Sequence, residues 1–125
     1  MYSISEVQHL LGLSASTLRY YEKEGLIPDI KRTESGKRIY TEDQIGWLRF
    51  IIALKETGMT IDKIKSYLDM NVRGEETLTE RREFLEQHKA RIEKNLAQTL
   101  LHLERINQKI SYYDAVVLGK SFFKI

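Results

Sequence analysis

The stretch Ser14-Ala15-Ser16-Thr17-Leu18-Arg19-Tyr20-Tyr21-Glu22-Lys23 decides how this chain is read. Ser14 has the character of a helix N-cap, because its hydroxyl can accept a free backbone N–H of the first turn. Gly25 stops the helix on its C-terminal side. Leu18 and Tyr21 fall on one side of the segment, while Ser16, Thr17, Arg19, Tyr20 and Lys23 fall outward. Just upstream, Ser3 with Glu6 fits a capping box, and Ile4, Val7, Leu10 and Leu11 give one apolar face ending at Gly12. Two short helices separated by Gly12-Leu13 predict a helix-turn-helix, in which the second helix is the element that enters a DNA major groove. An arginine there can grip guanine or phosphate with two hydrogen bonds, and hydroxyls can meet phosphates or base edges. The plainer alternative is a solvated face on which Arg19 and Lys23 pair with Glu22 and its neighbours.

Downstream, Leu26, Ile27 and Pro28 break the helical pattern. Ile30 to Arg32 and Arg38 to Tyr40 flank the turn-rich Thr33-Glu34-Ser35-Gly36-Lys37, which predicts a short β-hairpin. Lys31, Arg32, Lys37 and Arg38 stand there against Glu34 alone, a local charge of +3, whereas residues 1–70 hold ten bases and ten acids. Positive charge is therefore concentrated in the hairpin. Lysine-rich edges also serve to block strand pairing, but beside a helix-turn-helix the hairpin reads better as a wing clamping phosphates. Tyr40 would add a packing ring and a hydroxyl for phosphate. Thr41 with Gln44 opens a third helix through Ile45, Leu48, Ile52 and Lys55 to Gly58. Thr60 caps a fourth, carrying Ile61, Ile64, Tyr67 and Leu68 on one side.

Residues 71–78 read as a polar linker. Beyond it Leu85, Ile92, Thr99, Ile106 and Tyr113 recur every seven residues, with Lys89, Leu96, Leu103, Ile110 and Val117 as the offset series. This is an a/d heptad seam. At ~1.5 Å per residue, a helix from Glu80 to Val117 extends roughly 57 Å, too long to bury its stripe alone. A second copy is the expected partner, with Leu85, Ile92, Leu96, Leu103, Ile106, Ile110 and Tyr113 at the interface. The reading is thus a mainly α chain: a winged helix-turn-helix DNA-binding head over 1–70, the linker 71–78, a coiled-coil dimerisation helix over 79–117, and a tail over 118–125.

Composition narrows the chemistry. The chain of 125 residues has 20 Lys+Arg against 18 Asp+Glu, which excludes a polybasic arm or an acidic tail. It contains no cysteine, so disulfides, thiolate metal sites and thiol nucleophiles are excluded. One proline and seven glycines fit long helices with few irregular loops. No apolar run reaches membrane-spanning length and no secretory signal precedes the first helix, so a cytoplasmic location with no membrane partner is expected. No Gly-rich phosphate loop, His-Glu-x-x-His pattern or Ser/His/Asp constellation points to an enzyme. His9, His88 and His102 are the only histidines, and exposed or seam-flanking roles suit them better than metal ligation. Neither a metal nor another cofactor is expected.

Four motifs in consecutive order carry a family likeness. Tyr2-Ser3-Ile4-Ser5-Glu6-Val7, Ser16 to Ile27, Gly36-Lys37-Arg38-Ile39-Tyr40 and Leu54-Lys55-Glu56-Thr57-Gly58-Met59 together strongly resemble the MerR family of bacterial transcription regulators. The resemblance implies a homodimer with antiparallel long helices, bound to a pseudo-palindromic promoter operator. It also implies that the protein bends and untwists the DNA, and so acts on RNA polymerase indirectly through the promoter. It places Arg19 and Tyr20 on the recognition-helix contacts, Arg38 and Tyr40 on the wing, and Lys55 and Thr60 on a second wing. With the outward groups read directly from the residues, the expected DNA-binding set is Ser14, Ser16, Thr17, Arg19, Tyr20, Lys23, Arg32, Lys37, Arg38, Tyr40, Lys55 and Thr60. Relatives that sense metals or reactive aldehydes use cysteines, one of them near Ala53, and alanine has no thiol chemistry. With few residues after Val117, the large ligand domain of drug-responsive members is not expected. If an effector exists, Trp47, Tyr112, Tyr113, Phe122 and Phe123 are the candidate pocket, with a dimer-stabilising aromatic cluster as the alternative. The rival function is an architectural or recombination accessory protein, excisionase-like, that bends DNA without a promoter task. A coiled-coil adaptor that binds no DNA is disfavoured by the basic wing.

Overall fold

The computed structural model describes residues 1–27 and 30–119. They form two compact units, Met1–Phe84 and the part that begins at Leu85. In the first unit the order is β1 (Tyr2–Ser3), α1 (Ile4–Leu11), α2 (Ala15–Lys23), β2 (Lys31–Arg32), β3 (Arg38–Tyr40), α3 (Glu42–Glu56) and α4 (Ile61–Arg73). A 3-10 turn (Gly74–Thr77) then leads into α5 (Leu78–Val117).

Local chemistry sets the helix starts. Ser3 and Glu6 exchange reciprocal bonds in a capping box at α1, and Thr41 and Gln44 do the same at α3. Ser14 accepts the Thr17 N–H at α2, and Thr60 accepts the Lys63 N–H at α4. Gly12 ends α1 at φ +68°, a left-handed conformation that glycine adopts without steric cost, and its N–H closes on the Gln8 carbonyl. Only Leu13 and the N-cap Ser14 then separate Gly12 from α2.

The sheet has three strands in the order β1-β3-β2, both pairings antiparallel. Tyr2 lies opposite Tyr40, Ser3 opposite Ile39, and Arg32 opposite Arg38. The β2–β3 hairpin closes as expected over Thr33–Lys37. The Thr33 N–H donates to the Lys37 carbonyl at 2.7 Å and the Gly36 N–H to the Thr33 carbonyl at 2.9 Å, with Gly36 at φ +84°. Strand β1 was not foreseen. Two residues carry no periodicity, and only pairing with β3 makes them a strand. The Tyr2 hydroxyl fastens it further by donating to the Glu42 carboxylate.

The core of this unit is Val7, Leu18, Leu26, Leu48, Ile51 and Ile64, with the Tyr40 ring completely buried among the apolar residues. The Trp47 indole N–H donates to the Leu26 carbonyl at 2.8 Å, fixing the chain just after α2 to α3. Trp47 stacks on Tyr67, which also meets Phe50 and Phe84, so one aromatic cluster joins α3, α4 and the first turns of α5.

Where a polar linker was expected over 71–78, the backbone stays ordered by hydrogen bonding. α4 continues to Arg73 and the 3-10 turn follows. Buried Thr77 is the reason: its hydroxyl lies 2.5 Å from the Met70 carbonyl and 2.8 Å from the Gly74 carbonyl. Arg81 completes the elbow. Its Nε donates to the Thr77 hydroxyl at 3.0 Å, and its two terminal nitrogens donate to the Asn71 side chain at 2.8 Å and the Gly74 carbonyl at 3.0 Å. These bonds cap the end of α4 with the start of α5, a device no short window of sequence displays.

In the second unit α5 runs on as a continuous helix. At 40 residues the whole helix is roughly 60 Å long. Leu96, Leu103, Ile106, Ile110, Tyr113 and Val117 are all at least half exposed on it, and Leu85 and Ile92 are partly covered. His88 is buried, whereas His9 and His102 are exposed.

The elbow is testable. Thr77→Val keeps the volume but removes the hydroxyl that links Met70, Gly74 and Arg81. Urea unfolding monitored by circular dichroism is expected to show a loss of about 1–3 kcal/mol. A loss below about 0.5 kcal/mol, the range of an ordinary surface change, would mean the elbow is held by packing alone.

Candidate nucleic-acid interface

The site is built on α2 and the hairpin. At the N-terminus of α2 the Ser14 hydroxyl accepts the Thr17 N–H at 3.1 Å and lies 3.0 Å from the Ser16 and 2.9 Å from the Thr17 hydroxyl. Three hydroxyls are thereby clustered where the free N–H groups of a helix give a partial positive charge. Leu18 and Tyr21 are buried; Ser16, Arg19, Tyr20 and Lys23 are exposed, and Thr17 is half-buried. Of the outward set expected from helical spacing, all but Thr17 are exposed.

On the hairpin, Lys31, Arg32 and Lys37 are exposed and Arg38 is partly covered. Arg32 braces the turn by donating to the Gly36 carbonyl at 3.1 Å. Glu22 on α2 ties the two elements together: one carboxylate oxygen accepts from Arg38 Nε, and the other lies 3.4 Å from Arg32 Nη2. The sequence reading offered Glu22 only as a partner for Arg19 along the same helix. In the fold its partners are 10 and 16 residues away, a pairing that helical spacing cannot show.

Tyr40 requires a correction. It was expected to offer its hydroxyl to phosphate, yet the residue is completely buried and the hydroxyl has no hydrogen-bond partner among the described residues. Tyr40 ends the central strand β3 opposite Tyr2 of β1, and its ring is buried in the core of the unit. Burial, and then the Glu22 charge, push its phenol above the ordinary value of 10.0; Arg38, Arg32 and Arg19 pull the other way.

Lys55 is exposed in the last turn of α3, and Thr60 is exposed as the N-cap of α4, its hydroxyl accepting the Lys63 N–H at 3.3 Å. Lys65 on α4 lies 2.6 Å from Glu24 at the end of α2. That hydrogen bond holds the Glu24 carboxyl below its ordinary 4.5 and the Lys65 amine above its ordinary 10.5. So α2 is tied to its neighbours by two acids, Glu22 toward the hairpin and Glu24 toward α4. Both were missed as site residues.

The candidate effector pocket is expected between the dimer helix, the tail and the third or fourth helix of a partner copy. Trp47 belongs to the aromatic cluster of the first unit, while Tyr112 and Tyr113 pack edge to face on α5 with the Lys109 amine over both rings. Phe122 and Phe123 lie outside the described residues. Among the described residues no group of three or more His, Cys, Asp or Glu side chains is placed to hold a metal ion, and no helix is long and apolar enough to cross a membrane.

A helix-turn-helix whose second helix exposes Arg19, Tyr20 and Lys23 beside a basic hairpin defines a winged helix-turn-helix DNA-binding protein. The chain belongs to the MerR family of regulators: residues 2–71 match the family described as MerR HTH family regulatory protein, and residues 45–109 match a second, described as MerR, DNA binding. An uncharacterized HTH-type transcriptional regulator of Haemophilus influenzae is 33% identical over 119 residues, 94% of this chain and 88% of that protein. The HTH-type transcriptional regulator AdhR of Bacillus subtilis is 38% identical over 90 residues, 72% of this chain and 64% of that protein. Among solved structures, HiNmlR, a MerR family regulator lacking the sensor domain and bound to promoter DNA, superposes with a TM-score of 0.89 at 32% identity. That match covers 95% of this chain and 91% of the other. A MerR family regulator from Bacillus thuringiensis superposes with a TM-score of 0.81 at 38% identity, over 90% of this chain and 98% of the other. The protein is a DNA-binding transcription regulator of this family.

Burial of the Tyr40 hydroxyl has a direct consequence. Tyr40→Phe is expected to leave DNA affinity unchanged and to raise stability by up to about 1 kcal/mol, because an unpaired buried hydroxyl is removed. Gel-shift titration and thermal melting measure the two effects. A clear loss of affinity would mean that the hydroxyl reaches phosphate in the complex.

Proposed function

We propose that two copies of this chain act together on a pseudo-palindromic promoter operator. Each α2 enters a major groove and each hairpin grips the flanking phosphates. Arg19 and Tyr20 read bases or fix the helix in the groove. Ser14, Ser16, Thr17, Lys23, Arg32, Lys37 and Arg38 supply phosphate contacts, and Lys55 with the N-terminus of α4 at Thr60 supplies a second clamp. The observation that carries this reading is the direct link through Glu22 between the helix exposing Arg19 and the hairpin that concentrates the basic charge.

The dimer follows from α5. Leu96, Leu103, Ile106, Ile110 and Tyr113 stand exposed on it, and a stripe of that length has a physical reason to meet a second copy along its own seam. Two heads held apart by paired helices set a fixed spacing between half-sites. Many phosphate contacts then offset the cost of bending and untwisting the duplex between them. The distortion brings misaligned promoter elements into register for RNA polymerase. The activity is binding and distortion rather than catalysis, and the place of work is the cytoplasm, where the promoter lies.

Footprinting on DNA flanking the gene tests the reading, with protected half-sites and a hyper-reactive centre as the expected pattern. Arg19→Ala is expected to cost about 1–3 kcal/mol and relax base preference, whereas Lys37→Ala lowers affinity on all sequences and reduces the salt slope by about 1. Unchanged operator affinity in both variants would overturn the assignment. Separately, replacing Leu96 and Leu103 together by Asp is expected to give a monomer by light scattering with loss of operator binding. A persisting dimer would mean that another face of α5 makes the seam.

A further inference from the structure

We infer that Glu22 is a specificity-determining positioning residue: it locks the two wing arginines, Arg32 and Arg38, to the recognition helix, and so sets the register between base contacts and phosphate contacts. The inference rests on the DNA-binding reading above.

On charge alone, Glu22 is misplaced. A carboxylate on the face that meets a polyanion weakens every phosphate contact near it. It sits nonetheless on the helix that exposes Arg19, and it is bonded to both strands of the wing. Glu22 and Arg38 are each about a quarter exposed, so this pair is partly shielded from water, whereas Arg32 is nearly half exposed. The guanidinium forks are divided between tasks. Arg38 uses Nε toward Glu22 and makes no other hydrogen bond to protein among the described residues, which leaves its terminal nitrogens for a phosphate. Arg32 spends Nη2 on Glu22 and Nη1 on the Gly36 carbonyl at the wing turn. One acid therefore aims an arginine from each strand, and through Arg32 it also braces the hairpin tip.

β3 is held at its base by pairing with β1 and by the buried Tyr40 ring; what Glu22 adds is a direct tie from α2 to the arginines beside the wing turn. Among the described residues, the stretch joining α2 to β2 is tied to α3 by the Trp47–Leu26 hydrogen bond and to α4 by the Lys65–Glu24 pair, both outside the wing, whose strands are two and three residues long. A wing free to pivot would still attract phosphates. It would not hold them at a set distance from the bases that Arg19 meets, so preference for one sequence would fall while general attraction survived.

These two roles, charge and position, give opposite signs in one experiment. A DNA duplex is selected from a random library by the full-length wild-type protein, and a scrambled duplex of equal length serves as the non-specific probe. Fluorescence anisotropy then gives Kd for both duplexes from low to high potassium chloride for wild type, Glu22→Gln and Glu22→Asp. Glu22→Gln is expected to weaken binding to the selected duplex by roughly tenfold, in the range of coupled charge pairs. The same variant should leave the scrambled duplex unchanged or bind it more tightly. Glu22→Asp, with the charge kept and the reach shortened, should recover part of the loss. In an Arg32→Ala/Arg38→Ala background the Glu22→Gln step should shrink to under about twofold, because a residue acting through the arginines has nothing left to position.

Tighter binding to both duplexes by Glu22→Gln would mean that Glu22 acts as charge only, and would overturn the inference. Equal weakening on both duplexes with a lowered melting temperature would also overturn it, since that is loss of fold. So would a full tenfold step in the double-alanine background. If the wild-type protein selects no duplex, the DNA-binding reading itself fails and takes this inference with it. A wild type that selects DNA separates the two.

Discussion

A nine-residue recognition helix has no stability of its own in water, because helix nucleation costs more than two turns return. Here α2 exists because Leu18 and Tyr21 are buried in a core shared with Val7, Leu48 and Ile51. That burial fixes which side of the helix faces solvent, and therefore that Arg19, Tyr20 and Lys23 are presented together. The Trp47 bond to the Leu26 carbonyl secures the exit of the helix against α3. The remaining parts of the head answer to the same constraint: α1 packs beneath α2, β1 pairs with β3, and Tyr40 fills the space between sheet and helices.

Electrostatics on this scaffold is a matter of placement more than of total charge. The chain carries a formal net charge of only +2, yet its acids and bases are not mixed at random. Glu22 and Glu24, which would oppose DNA if left free on α2, are engaged by Arg38 and Arg32 on the wing and by Lys65 on α4. Arg19, Lys23, Lys31 and Lys37 remain exposed. The result is a helix whose negative side chains act as ties within the protein and whose positive ones are available outside. In the proposed complex, long-range attraction to DNA comes from the exposed set and geometry from the paired set.

α5 poses the opposite problem. Its exposed leucines and isoleucines give a long apolar stripe, and an isolated helix has no interior in which to hide them. Its first turns are different in kind. Arg81, Thr77 and Asn71 join them by hydrogen bonds to the end of α4, and Phe84 joins them to the aromatic cluster. The helix thus begins as part of the head and continues as a separate body, with the change falling between Phe84 and Leu85.

Features held by bonds between near neighbours can be read from the order of residues alone. The capping boxes at Ser3 and Thr41, the caps at Ser14 and Thr60, the turn at Thr33–Lys37 and the heptad spacing on α5 all involve residues a few positions apart. Their physics is complete within a short window. The tertiary structure decided the rest. It made Tyr2–Ser3 a strand, carried α4 through Arg73, turned Tyr40 inward, and gave Glu22 to the wing rather than to Arg19. Each of these depends on a partner far along the chain, and a side chain with several adequate partners takes the one that folding brings to it. The identity of the outward residues was legible because helical spacing dictates it. Their tie to the wing was not, because it runs through a carboxylate and an arginine 16 residues apart.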